Sequence, residues 1–349
     1  MNNEIWQQLL SLESRDITAK WFNEIHARDI NARRTKEINS AAKQAREYFR
    51  NSANSNHSVR PLLTFYGVAS LSRALLLLLK RSGGEESLTG SHGLETVAWS
   101  DSMSGDVDKG LKSIGDLKIR TCRGLFADFL TYTDNRLSIH VNSSAVDWHI
   151  CYDIPALGQE LTVQDIVSRI PDLKRDLENI SHVHNYSEVS EMNYSDANGF
   201  RAKVKSEHFS SQRNFFESNG YNLEDESRQV VITGDKNIFS SNLPLFVHTY
   251  IHKTFGTIPS LYISEPFAGK ANYSQLSITY ILSYFLGMLV RYYPTHWMSL
   301  SSGDKGDEWW PIINRAQQYV ENAFPELVIE LVNDIRKKSI EDRAQQENA

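Results

Sequence analysis

The pair most suggestive of chemistry is Arg291 and His296, separated by four residues at the end of a long apolar segment. An arginine placed there can steady the charge of a phosphodiester, while an imidazole can move protons near neutral pH. On an unbroken helix, residues five apart diverge by about 140° around the axis. The two side chains could therefore meet only if Pro294 breaks the helix between them. Comparable spacings recur at Arg50/His57, Arg175/His182 and Arg201/His208, so spacing by itself is not diagnostic. A plainer reading lets Arg291 satisfy carbonyls at a helix C-terminus while Trp297 packs beneath.

Histidines supply a second pattern. His182 and His184 alternate in a strand-like run, and His248 and His252 share a face whether their segment is strand or helix. Neutral imidazoles at these spacings could form half a metal site, with Glu188 or Glu191 as the oxygen donor. Nothing brings the two pairs together and HExxH is absent, so no metal and no cofactor is assigned. Neither GxxxxGK[ST] nor GxSxG occurs. Gly83-Gly84 and Gly90-Ser91-His92-Gly93 follow a helical segment, whereas a dinucleotide fingerprint follows a strand. A loop there leaves His92 free to touch a ligand, although a turn needing Gly93 at positive φ explains the same residues. Trp297, Trp309 and Trp310 could stack a base, or simply fill the core between the last helices. The candidate ligand contacts are Arg60, Arg73 and His92, together with Arg291, all polar groups beside otherwise apolar segments.

Two apolar helical stretches must position these groups. One runs from Arg60 into Leu75–Leu79, with Pro61 suited to a first helical turn. The other runs from Leu276 to Trp297, with Ser274 as its cap and Pro294 as its stop. Each is too apolar to lie in water, so the two are expected to bury against one another. Residues 3–53 read as helical, with Ile5, Leu9, Leu10 and Leu12 spaced for one face. Strand-like runs follow at Leu117–Cys122, Arg136–Val141, His182–Tyr194, Phe200–Lys205, Gln229–Thr233 and Leu261–Ile263. One helix, Leu161–Val167, interrupts them, capped by Thr162 with Asp165 in its first turn. Asp307 precedes a further helix, Pro325 restarts it, and the polar end is expected to fray. The expected fold class is α+β, with N- and C-terminal helices packed together around or beside a β-rich centre. Its parts are a helical 1–93, a β-rich 94–270 with one helix, a helical 271–340 packing on the first, and a tail at 341–349, all as one unit.

Bulk properties narrow the function. The chain has 349 residues and a net charge of -6, which argues against general polyanion binding. The one basic concentration is Arg28, Arg33, Arg34 and Lys36, which reads as a solvated helix end. With only Cys122 and Cys151, and no zinc spacing, no disulfide framework is expected. Met1–Trp6 lacks signal-peptide features, and Arg73 interrupts the longest apolar run short of the ~18 residues of a membrane span. The expectation is a cytoplasmic protein with no membrane contact.

Several segments resemble the YaaC-like family of bacterial proteins. They are Ala45-Arg46-Glu47-Tyr48-Phe49, Arg60-Pro61-Leu62-Leu63 with Tyr66-Gly67 and Leu71-Ser72, and Ser91-His92-Gly93-Leu94. Leu161–Leu173, containing Ser168-Arg169-Ile170-Pro171-Asp172-Leu173, and Leu286-Gly287-Met288-Leu289-Val290-Arg291-Tyr292 complete the set. Their order covers roughly residues 40–300, leaving out the segment before residue 35 and the loop near 210–228. The resemblance implies a bacterial cytoplasmic protein and transfers no catalytic residues. Two functions are expected. The first is a binding module for a partner protein or a small, nucleotide-like anionic ligand, in bacterial stress or phage defence. The second, suggested by the R-x4-H spacing that HEPN-type ribonucleases carry at such a helix end, is metal-independent RNA cleavage by Arg291 and His296 in a homodimer.

Overall fold

Side-chain oxygens open the first helices: Ser14 accepts from the Ile17 N–H and Asn31 from the Arg34 N–H. The structure is a computed structural model describing residues 3–136, 151–195, 199–206, 209–235, 246–249 and 260–347. It begins with α1 (Asn3–Leu9), α2 (Arg15–His26), α3 (Ala32–Asn54) and α4 (Arg60–Leu79), the last with Pro61 in its first turn. Then come β1 (His92–Val97), α5 (Trp99–Met103), α6 (Val107–Lys112), β2 (Lys118–Gly124) and α7 (Leu125–Tyr132). β3 (Glu160–Thr162) leads directly into α8 (Val163–Val167), followed by α9 (Lys174–Leu177). β4 (Tyr186–Ser195), β5 (Gly199–Lys205), α10 (Ser210–Ser218), β6 (Asn222–Glu226), β7 (Gln229–Gly234), β8 (Phe246–Thr249) and β9 (Ser260–Ser264) continue the chain. α11 (Gln275–Tyr292), α12 (Pro294–Ser302) and α13 (Trp310–Glu347) close it, giving an α+β fold.

The expected burial of the two apolar stretches is found. α4 is long and apolar enough to cross a membrane, yet 67% of its most apolar window is buried within the protein. Gly67 lies against Phe49 of α3, where an added Cβ would sit 2.7 Å from the ring. On α11, Gly287 lies against Phe65 of α4, where a Cβ would come within 2.8 Å of the Phe65 Cβ. A helical glycine costs about 1 kcal/mol relative to alanine, and here the close approach of three helices offsets it. Phe65 meets Tyr284 edge-on at 5.5 Å, and Phe126 meets Tyr280 at 5.2 Å. One apolar cluster takes in residues from Ile5 of α1 to Val332 of α13.

A partly buried ion pair ties α13 to this layer. Arg60 Nε and Nη2 donate to the two Glu321 carboxylate oxygens at 2.8 and 2.5 Å. Ser52 Oγ of α3 lies 2.7 Å from the same carboxylate, and Gln317 Nε2 donates to it at 2.8 Å. Burial pushes the Glu321 carboxyl up, but Arg60, Ser52 and Gln317 outweigh it and hold the group below the usual range. Arg34 is buried rather than part of a solvated patch. It donates to the Leu77 carbonyl at 2.9 and 2.7 Å and to that of Lys80, satisfying the last carbonyls of α4.

The strands form two antiparallel sheets: β1-β2-β3, set into the helical body, and β6-β7-β5-β4-β9-β8. In β5, Phe200, Ala202 and Val204 are buried while Arg201 and Lys203 reach Glu191 at 3.7 and 3.8 Å, the alternation expected of a half-covered sheet. α10 helps cover the apolar side, with Phe209 near Phe216 at 5.7 Å and Phe216 near Tyr221 at 5.4 Å. Arg169 links the larger sheet to the body by donating to the Glu265 and Pro266 carbonyls, each at 3.0 Å, over the Phe267 ring.

Several expectations change. The 94–270 region carries not one helix but α5 to α10, each only four to nine residues long and too short for a helical period to stand out. The expected Thr162/Asp165 cap is present as a reciprocal capping box, but it opens α8 after a short strand. Pro325 lies inside a continuous α13, where buried Phe324, Leu327 and Val328 hold the helix together despite the lost N–H. The same helix runs on through Glu347 instead of fraying at Glu341, and Arg343 donates to the Asn23 and Glu24 carbonyls at the end of α2. His92 opens a strand rather than sitting in a loop. The Arg136–Val141 run lies mostly outside the described residues, with Arg136 bridging Cys151.

Two substitutions probe this layer. Gly287→Leu should lower unfolding free energy by about 1–3 kcal/mol through overpacking against Phe65; an unchanged denaturation midpoint would contradict the close approach. Glu321→Gln should cost about 1–3 kcal/mol by leaving the half-buried Arg60 without its counter-charge. Because the Glu321 carboxyl is held below its ordinary 4.5, its contribution is present above that pH and is lost as pH falls through the depressed value. Acid unfolding followed by circular dichroism should therefore be shallower in the variant than in the wild type.

Candidate functional site

At the start of β1 the chain must pass very close to the end of β2. A Cβ on Gly124 would fall 2.3 Å from the Gly93 nitrogen, and one on Gly93 would fall 2.6 Å from the Phe126 nitrogen. Gly93 takes φ 79°, and the β1–β2 register slips between His92 and Leu94. Ser91 locks the turn, its hydroxyl donating to the Arg123 carbonyl and its carbonyl accepting from the Leu125 N–H, each at 2.8 Å. This bulge turns the His92 ring edge-on to Phe65 at 5.1 Å, with Tyr284 at 6.2 Å.

The two apolar helices bring polar groups to the same place. Tyr66 and Arg73 are two turns apart on α4, as Tyr284 and Arg291 are on α11, so each pair shares a helix face. Arg291 Nη1 donates to the Tyr66 hydroxyl at 3.4 Å, and its guanidinium lies 5.1 Å from the Tyr292 ring. Burial lowers the His92 pKa, and the positive charges of Arg291 and Arg73 lower it further, so the imidazole is neutral at pH 7. Burial pushes the Tyr284 phenol up, which keeps it a hydrogen-bond donor. Neighbouring Cys122 has its thiol pushed up by burial and by Glu95, the opposite of an activated nucleophile. Both Arg73 and Arg291 are exposed, and neither has a carboxylate partner among the described residues. The result is a cationic surface beside apolar rings, with one neutral imidazole and phenol hydroxyls at hand. It is suited to holding an anion and contains no nucleophile–base pair.

Three of the expected residues, Arg73, His92 and Arg291, thus come together, whereas Arg60 and His296 lie elsewhere. Arg60 is taken up by Glu321. His296 is buried on α12, with its Nε2 only 2.8 Å from where a Gly110 Cβ would be, and burial lowers its pKa. Its Nε2 has no hydrogen-bond partner among the described residues. With α11 ending at Tyr292, Arg291 turns toward α4 while His296 packs on α6. Trp297 and Trp309 are core residues, and Trp297 donates to the His57 carbonyl at 2.8 Å.

The histidine pattern does not assemble. His182 and His184 precede β4 instead of sharing a strand face; His182 is exposed and His184 is buried near Glu178 at 3.6 Å. His248 lies in β8, and His252 lies outside the described residues. Among the described residues, no group of three His, Cys, Asp or Glu side chains could hold a metal. Sequence reasoning missed Tyr66 and Tyr284, although their spacing of seven from Arg73 and Arg291 was a usable signal.

No curated protein and no solved structure matches the chain. The family model of YaaC-like proteins matches residues 10–332, including the early segment and the 210–228 region that the motifs left out. On a match of that extent, the chain belongs to the YaaC-like family.

Proposed function

We propose that this protein is a bacterial cytoplasmic binding module that takes up a small, nucleotide-like anionic ligand at the Arg73–His92–Arg291 cluster. The observation that carries this reading is the convergence of two arginines, neither paired with a carboxylate among the described residues, from the two most apolar helices onto one half-buried histidine. Elsewhere in the fold, partly or fully buried arginines are satisfied in place, Arg60 by a carboxylate and Arg34 by carbonyls. Tyr66, Tyr284 and Tyr292 add aromatic edges and faces that suit a planar group on the ligand. The cytoplasmic setting rests on the family resemblance and on cysteine usage. A ribonuclease built on Arg291 and His296 has less support, because burial against Gly110 keeps the His296 ring from an incoming phosphate within one subunit.

Native mass spectrometry of the purified protein should reveal a bound small anion, and Arg73→Ala/Arg291→Ala should reduce its retention tenfold or more, since charge-assisted hydrogen bonds contribute about 1.5–3 kcal/mol each. A sample without such an anion, or a double variant that keeps it, would sink the reading. Because His92 is neutral at pH 7 and gains a proton only below its lowered pKa, ligand affinity should rise as pH falls through that lowered value, where the imidazolium adds a third positive charge. His92→Asn should abolish that rise in isothermal titration. RNA incubated without metal should remain intact with both the wild type and His296→Ala; cleavage lost in the variant would favour the nuclease.

A further inference from the structure

A separate cationic concavity lies between the Ser14 turn and α3. It is an open cleft of about 500 Å³, lined by Glu13, Arg15, Lys36, Asn39, Ser40 and Lys43 with Ala32. That volume lies within the ~300–1,000 Å³ typical of small-molecule sites. Its walls are held in place by groups already committed elsewhere. Asn39 Nδ2 donates to the Leu12 carbonyl at 2.6 Å and lies 2.9 Å from Thr18 Oγ1, fixing the turn against α3. Arg46 Nε and Nη2 donate to the two oxygens of Glu13 at 2.6 and 3.0 Å, which neutralises the one carboxylate lining the cleft. Arg15, Lys36 and Lys43 are all exposed and have no acidic partner among the described residues. A chain of net charge -6 thus leaves three cations facing one recess.

We propose that this cleft binds the phosphates of a small polyphosphate, independently of the His92 cluster. Lys36 and Lys43 lie two turns apart on one face of α3, about 10 Å along its axis, with Ser40 between them. Charges strung out in this way match a run of phosphates better than a single compact anion. No aromatic ring lines the cleft, so a nucleobase gains nothing there and single-stranded nucleic acid lacks the stacking it ordinarily uses. Recognition rests on charge, so tripolyphosphate and a nucleoside triphosphate should bind alike.

Sodium tripolyphosphate titrated into Arg73→Ala/Arg291→Ala protein reports this cleft alone, so the outcome does not depend on the proposed function of the His92 cluster. Measurable binding is expected, with a nucleoside triphosphate within about threefold of it. Adding Lys36→Gln and Lys43→Gln should weaken binding tenfold or more, while circular dichroism stays unchanged because both lysines are exposed. Absence of binding in the first protein, or equal binding after the lysine changes, would overturn the proposal. Tighter binding of a single-stranded RNA oligonucleotide than of tripolyphosphate would also overturn it, in favour of a nucleic-acid surface.

Discussion

Everything in the helical body depends on how closely α4 can lie between α3 and α11. Gly67 opposite Phe49 and Gly287 opposite Phe65 allow that approach, because each phenylalanine occupies the space a β-carbon would need. With the three helices in contact, residues far apart in sequence bury a shared apolar surface, and a helix apolar enough for a bilayer becomes an ordinary core element. The same packing decides which residues are left facing outward. Arg73 and Arg291 project from these helices near the same histidine because their other faces are already committed.

The arginines divide by how their charge is compensated. Arg60 meets a carboxylate in bidentate fashion, Arg34 gathers the terminal carbonyls of α4, and Arg169 gathers those of Glu265 and Pro266. A guanidinium removed from water without such partners is expensive, so these three hold the structure together. Arg73 and Arg291 remain in water beside a histidine that burial has made neutral, so their charge is available to something outside the chain. Exposure together with the absence of a carboxylate, rather than residue type, separates a structural arginine from a candidate ligand contact.

The larger sheet follows a different logic. Phe200, Phe209, Phe216 and Tyr221 give it an apolar centre outside the main cluster, while its charged side carries a lattice of Arg201, Lys203, Glu191 and Glu226. Ion pairs this exposed contribute little stability.

Strong local chemistry made much of this legible from residues. Ser274, Pro294, Pro61 and the Thr162/Asp165 box announced helix ends through the backbone groups they satisfy or lack, and the uniformly apolar stretches announced the core. Short helices such as α5 and α9 escaped because four or five residues cannot display a period. Pro325 misled because local propensity was outvoted by burial on either side. For the site, sequence could nominate Arg60, Arg73, His92, Arg291 and His296 alike, since each is polar beside apolar neighbours. Sorting them required the fold: a carboxylate 261 positions away claims Arg60, a glycine on α6 receives His296, and a glycine bulge aims His92 at Phe65. Local composition sets which segments must leave water, but partners distant along the chain set where each remaining charge ends up, because electrostatic neighbours are a property of space rather than of order.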